Sequence, residues 1–380
     1  MTAKGASGVL TARSAVVTRA VVLAGGAGSR LWPLTETVPK PLVEFATEPF
    51  LHGVIRRLAH VGVHDIWVLI GKDPTPFQSL DALGRTLGVA VKTMCETEPL
   101  GTAGGVRALC SEWEQPFFVL NGDILTDVDL AWFAQKHASS GALGSLVVAS
   151  VSDPSSYGVC QITNGQIVGF LEKPSVGECP GPALVNAGTY LIEPALLRAF
   201  PPGELSFERD VFPTAIQRGD VLTPVVSDNA WADLGTPARY RAGHRLVLDE
   251  TITWPAVTNL PQVAPGVRIA PTATVATDVT VHQPVLIAAN ATIHSGAVLG
   301  PNVVIGTDVT VGEGCVLSDV VVHAGATLGA SCHLAHTVIG AKVTLGNNVT
   351  CDDDVVVVTD VAANRTFRAG ARVHRDSVDV

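Results

Sequence analysis

The residues best suited to chemistry form one stretch, Leu23-Ala24-Gly25-Gly26-Ala27-Gly28-Ser29-Arg30-Leu31-Trp32-Pro33-Leu34-Thr35, followed by Pro39-Lys40-Pro41. Glycines carry no Cβ, so the backbone N–H groups of such a loop can approach a polyphosphate closely. Arg30 and Lys40 add the charge that a glycine loop lacks, one as a forked donor and one as a mobile point charge. That pair suits a leaving pyrophosphate. Two familiar loops fail on spacing: a dinucleotide fingerprint beginning at Gly26 and Gly28 needs glycine where Leu31 stands, and a Walker loop needs Gly-Lys-Ser/Thr, which is absent.

The acidic groups lie far away in sequence. Asn121-Gly122-Asp123 follows the apolar run Phe117–Leu120, and Trp231-Ala232-Asp233-Leu234-Gly235-Thr236-Pro237 is the second acidic motif. Two hard carboxylates suit Mg²⁺ better than isolated histidines do. In Glu98-Pro99-Leu100-Gly101-Thr102-Ala103-Gly104 a carboxylate precedes a glycine. A carboxylate only accepts hydrogen bonds, so Glu98 could take both N1–H and the exocyclic amine of guanine, where uracil or thymine offers one N–H. Plainer roles stay open: a turn for Asp123, a helix cap before Pro237 for Asp233, a cap or solvent-facing position for Glu98, and capping for Ser206 with Arg209.

The elements that must position these groups show two periodicities. From Arg19 to Leu248, short apolar runs (20–24, 66–70, 89–94, 117–120 and 143–149) alternate with stretches at helical spacing (50–61, 78–87, 103–109 and 130–137). Strands separated by helices imply a parallel sheet covered on both faces, with ligands at the carboxyl ends of its strands. Asn164-Gly165 signals a hairpin, and 207–218 and 237–248 read as later helices. Beyond Pro255, aliphatic residues recur every six positions: Val263, Ile269, Val275, Val281, Ile287, Ile293, Leu299, Ile305, Val311 and Leu317. One slip resets the frame to Val322, Leu328 and Leu334, and another to Ile339 and Leu345. A period this regular over about ninety residues is the mark of a solenoid.

The glycine loop with Arg30 and Lys40 resembles the signature of the sugar-1-phosphate nucleotidylyltransferases, the family that includes mannose-1-phosphate guanylyltransferase. The later segment resembles the hexapeptide-repeat, left-handed parallel β-helix. The resemblance implies an α/β fold: a Rossmann-like mixed or parallel sheet domain (19–248), a linker (249–262) and a β-helix of about five coils with a C-terminal tail (263–380), behind a flexible lead (1–18). It implies nucleotide contacts at Leu23, Ala24, Gly25, Gly26, Gly28, Ser29, Glu98, Gly101 and Thr102, and sugar-phosphate contacts at Gly158, Glu172, Lys173 and Asn186. Catalysis would fall to Arg30, Lys40, Asp123 and Asp233, with Mg²⁺ on the two aspartates. Tyr157 flanks Gly158, and Ser206–Asp210 resembles a further family segment. The implied reaction is attack of a sugar 1-phosphate oxygen on the α-phosphorus of an NTP, expelling pyrophosphate.

The implied substrates are GTP and mannose 1-phosphate. Alternatives are a heptose or longer sugar 1-phosphate, another NTP and hexose 1-phosphate, a regulatory nucleotide-sugar-binding subunit, and an acyltransferase using the repeat histidines. The net charge of −10 in 380 residues argues against nucleic acid as a partner. No window approaches the ~20 apolar residues of a membrane span, and no secretory signal is legible. Seven cysteines without a Cys-x-x-Cys pair fit reduced thiols in a cytoplasm. A homo-oligomer built through the β-helix is expected.

Overall fold

The computed structural model describes residues 17–377 except Val176 and Pro180, so the expected lead at 1–18 falls almost wholly outside the described residues. The elements in chain order are β1 (Arg19–Leu23), the short strands β2 (Glu44–Phe45) and β3 (Glu48–Pro49), α1 (Phe50–His60), β4 (Asp65–Ile70), α2 (Ser79–Leu87) and β5 (Ala90–Cys95). Next come α3 (Gly101–Leu109), β6 (Phe117–Asn121), β7 (Ile124–Thr126), α4 (Leu130–Ser140), β8 (Gly144–Val151), β9 (Gly158–Thr163), β10 (Gln166–Glu172) and β11 (Ala183–Ile192). The series continues with α5 (Pro194–Arg198), α6 (Phe212–Arg218), β12 (Leu222–Val226), β13 (Trp231–Asp233), α7 (Pro237–Leu248) and α8 (Pro255–Thr258).

Strands β1, β4, β5 and β6 pair in parallel; the apolar runs of β1, β4 and β6 are buried, as a sheet covered on both faces requires, whereas β5 at the sheet's edge is largely exposed. The sheet is mixed rather than wholly parallel. Strand β11 runs antiparallel to β6, β8 and β9, and the Asn164-Gly165 hairpin adds β10. A separate antiparallel pair joins β13 to β7, which brings the two acidic motifs side by side.

From Val267 onward the chain forms a parallel β-helix. Thr274 pairs with Thr292, then Thr310, Thr327 and Thr344, so a coil takes 18 residues at first and 17 later. Eighteen residues are three hexapeptides, which is the sequence period. The two slips are the shortened coils: strands Val316–Val322 and His333–Ile339 run straight through a corner, with Asp319 (φ 55°) and His336 (φ 46°) in the left-handed region. Ile287, Ile293, Leu299, Ile305, Val311 and Leu317 fill the interior.

The two parts share a core. Leu286, Val304, Val321, Val338 and Val356, one from each successive coil, belong to the same buried cluster as Phe45, Trp254 and Val247. The stretch expected as a linker, 249–262, is packed accordingly: it contains α8, and Trp254 stacks on Phe50 (5.1 Å, 9° between rings). Trp254 also fills the space left by Gly53, where a Cβ would meet its ring at 2.1 Å.

Candidate functional site

The glycine loop leaves the carboxyl end of β1, where the Ala24 N–H still donates to Leu69 O (2.8 Å). Gly28 is the position that must lack a side chain, since its φ is 64° and a Cβ would meet the Lys40 Cβ at 2.7 Å. Thr35 Oγ1 donates to Gly28 O (3.0 Å), closing the loop into a turn that buries Leu31 and leaves Arg30 projecting, 60% exposed.

That close approach brings Lys40 beneath the loop. Its side chain is only 9% exposed, and Nζ lies 2.5 Å from Asp123 Oδ2 and 3.8 Å from Asp233 Oδ1. Gly122 fixes the first aspartate by donating to Leu23 O (2.8 Å), and the Leu234 N–H donates to Asp123 O (3.2 Å) to link the acidic segments. Asp233 is itself buried; Arg239 Nη1 lies 2.9 Å and Arg30 Nη2 3.9 Å from its Oδ2. Two carboxylates thus share one cationic position, occupied by an ammonium group. A pair of hard carboxylates fits Mg²⁺, which completes its shell with water and substrate phosphate oxygens. Among the described residues no third acidic, His or Cys ligand joins them.

A cleft of about 400 Å³ opens in front of this cluster, lined by Leu23, Ala24, Gly25, Gly26, Lys40, Gly101, Thr102 and Asp123 together with Glu96, Ser206 and Arg209. The N-terminal end of α3 is clamped against the chain at Leu205. Gly101 (φ 69°) would drive a Cβ to 2.5 Å from Leu205 O, and the Ala103 N–H donates to that same oxygen (2.8 Å). Thr102 Oγ1 donates to Glu208 Oε2 (2.9 Å) and accepts from the Phe207 N–H (2.9 Å), tying α3 to the Ser206 segment. Ser29 is exposed and does not line the cleft.

Glu98 does not reach this cleft. The Glu96 N–H donates to Ile70 O (2.9 Å), which holds Glu96 at the end of the sheet, while Glu98 lies exposed in the following turn. Glu96 is therefore the glutamate that lines the cleft, and burial raises its carboxyl above the ordinary range, partly offset by the Leu100 N–H. The sequence placed a cleft carboxylate at Glu98; the glutamate that lines the cleft is Glu96.

A second opening, of about 650 Å³, lies beside Asp233 and is lined by Tyr157, Trp231 and Arg239; Gly158, Glu172, Lys173 and Asn186 do not line it. Tyr157 meets Trp231 edge-on (5.2 Å) and lies under the Arg239 guanidinium (5.1 Å). Its carbonyl accepts from the Lys173 N–H (3.0 Å), which places the end of the hairpin there. Gly158 faces Glu172 across the hairpin, and a Cβ on it would meet Glu172 Oε2 at 2.8 Å. Lys173 Nζ lies 3.3 Å from Glu172 Oε1 and is otherwise exposed. Asn186 is tied inward, with Nδ2 donating to Tyr190 Oη (2.8 Å), which donates on to Glu208 Oε1 (3.2 Å). Glu208, Arg209 and Arg239 are polar groups of the site to which the sequence assigned no contact. The Ser206–Asp210 segment was the signal for two of them, and nothing in sequence marked Arg239.

An open α/β sheet with a glycine loop, a lysine and two convergent carboxylates at its strand ends suits a nucleotide-handling transferase. The chain belongs to the nucleotidyl transferase family, which it matches over residues 19–250, and it matches the GMPPB C-terminal domain over residues 281–373. It is 36% identical over 243 residues to a probable mannose-1-phosphate guanylyltransferase 2 of Arabidopsis thaliana. It is 37% identical over 239 residues to the mannose-1-phosphate guanylyltransferase catalytic subunit beta of Dictyostelium discoideum. Each match covers 61% of this chain and 65% of the relative, slightly under two-thirds. Among solved structures, HddC from Yersinia pseudotuberculosis complexed with GMP-PN is similar over 60% of this chain and 98% of its own, with 26% identity and a TM-score of 0.51. A putative glucose-1-phosphate thymidylyltransferase from Bacillus anthracis is similar over 60% and 94%, with 25% identity and a TM-score of 0.55. Among the described residues no helix is long and apolar enough to cross a membrane.

Proposed function

We propose that this chain transfers a guanylyl group from GTP to a sugar 1-phosphate, with mannose 1-phosphate the first substrate to test. The observation that carries this reading is Lys40 held between Asp123 and Asp233 at the mouth of the glycine loop. The attacking phosphate oxygen is already anionic, so the reaction needs no general base and no Ser or Cys nucleophile. The chain's task is to place two anionic substrates in line and to neutralise them. The loop from Leu23 to Gly28 and Ser29, with Gly101 and Thr102, would seat the nucleotide, and Arg30 and Lys40 would stabilise the departing pyrophosphate. Lys173 would orient the sugar phosphate, and Glu172, Gly158 and Asn186 would line the sugar's path. A divalent cation held by Asp123 and Asp233 would supply charge neutralisation between the two phosphates.

Guanine is favoured by Glu96, whose paired oxygens can accept N1–H and the exocyclic amine. The similar structure complexed with GMP-PN and the guanylyltransferase names of the relatives point the same way. In this reading residues 19–248 carry the chemistry and 263–380 support it. Pyrophosphate release measured for several NTPs against several sugar 1-phosphates, with Mg²⁺ present, tests the proposal. GTP with mannose 1-phosphate should give the highest kcat/KM. A folded protein that releases no pyrophosphate with any pair would refute the reaction.

A further inference from the structure

Of the four segments that bring the cations and carboxylates to the cleft, those of Arg30, Lys40 and Asp233 each touch the β-helix. Trp32, two residues after Arg30, packs edge-on against His374 in the last coil (4.4 Å). Glu44, four residues after Lys40, accepts the Ala324 N–H on Oε2 (2.9 Å). Helix α7, which begins four residues after Asp233, presents Arg241 and Arg245 to the buried Asp319; their Nε atoms lie 3.1 and 2.7 Å from its two oxygens. Arg241 also reaches Asp354 (2.9 Å).

One side chain joins the lysine and carboxylate segments directly. The Tyr240 hydroxyl donates to Glu44 O and lies 2.8 Å from His323 Nε2. The hydroxyl has a single hydrogen, committed to Glu44, so His323 must present Nε2–H to it. The ring of Tyr240 lies beside Lys40 and Asp123, around a void of only about 10 Å³. His244 completes the clasp, its Nε2 accepting the Ala46 N–H (3.0 Å).

We propose that the β-helix is a working part of the active site, holding Lys40 and Asp233 at their spacing through Tyr240, His323 and the Arg241–Asp319–Arg245 cluster. Tyr240 and Asp319 are positioning residues in this scheme; neither touches substrate. The inference builds on the reaction proposed above, but its central claim concerns geometry and can be read without turnover.

The test uses the full chain and labels surface amines with an acetylating reagent, read site by site by mass spectrometry. Lys40 is shielded and ion-paired in the docked protein, whereas Lys72 and Lys136 are exposed and remote from the junction. Tyr240→Phe and Asp319→Asn should each raise Lys40 labelling about tenfold, as expected for loss of a buried hydrogen bond, and leave Lys72 and Lys136 unchanged. With GTP and sugar 1-phosphate, kcat should fall by a similar factor while KM moves little, because the displaced groups act on the transferring phosphate. His323→Leu should behave like Tyr240→Phe, and His323→Gln, which keeps an N–H donor, should recover much of the loss. Equal defects in the Leu and Gln variants would show that the junction acts through packing alone and would overturn the proposal. Wild-type Lys40 labelling in folded Tyr240→Phe and Asp319→Asn proteins would overturn it as well. A wild-type protein without pyrophosphate release would count against the reaction only, since the labelling pattern still decides the docking claim.

Discussion

Glu44 gives a quantitative test of how the two parts are joined. Burial at the junction pushes its carboxyl from the ordinary 4.5 up to about 7, and the Ala324 N–H offsets only part of that. At 1.36 kcal/mol for each tenfold change in proton affinity, this rise corresponds to roughly 3 kcal/mol. The folded value lies above the unfolded one, so the favourable contribution is complete below pH 4.5 and is lost as pH rises through about 7. Glu44→Gln is neutral at every pH and keeps an oxygen for the Ala324 N–H. The perturbation is therefore confined to charge. Urea unfolding of both proteins at pH 5 and pH 8 provides the assay. The stability of the variant relative to wild type should improve by about 2 to 3 kcal/mol between those values. His244 and His323, held down to about 4 and about 3 by burial, destabilise the acid limb in both proteins and cancel in the comparison. A difference that does not change with pH would show that Glu44 ionises in the fold without penalty, and would refute the argument from burial.

Other outcomes follow from the site. Asp123→Ala should lower pyrophosphate release by about 1,000-fold or more while the protein stays folded by circular dichroism, because Lys40 and any cation lose their nearest carboxylate; substantial activity would refute the assignment. Glu96→Gln should cost GTP about tenfold in kcat/KM through loss of a paired acceptor, whereas Glu98→Gln should leave it unchanged; the reverse result would restore Glu98 as the base-reading group. Gly53→Ala forces a Cβ to within 2.1 Å of the Trp254 ring. It should destabilise the protein by about 1 to 3 kcal/mol in thermal unfolding, and a variant as stable as wild type would show that this packing yields easily.

Much of the site was legible because its chemistry lies next to strand ends. Gly25, Gly26 and Asp123 follow apolar runs that could only be buried strands, so their placement at the carboxyl edge follows from the sheet. That Glu96 and not Glu98 lines the cleft was not legible, because the turn after β5 decides it and the Glu96 N–H is held by Ile70 O. Arg239 could not be found from sequence at all. It lies two residues into α7 past Pro237, and only the pairing of β13 with β7 swings Asp233 to within its reach.

The β-helix was legible as a period, yet its most informative residues are where the period fails. A six-residue repeat places the interior side chains from Ile269 onward, though not Val263, which is exposed, and says nothing about which outer face is covered. The first slip, between Leu317 and Val322, removes one residue from a coil. The shortened corner turns at Asp319, which accepts from both Arg241 and Arg245. In the next turn of the same coil, His323 and Ala324 meet Tyr240 and Glu44. An uninterrupted hexapeptide frame would put a residue of different phase at that corner and would rotate the acceptor away from α7. The slip is thus the sequence mark of the junction, and an inserted residue between Leu317 and Val322 should undo docking while leaving the interior stripe intact. Loss of Lys40 shielding without loss of β-helix content is the expected signature, and an insertion that leaves shielding unchanged would show that the face, and not the corner, holds the two parts together.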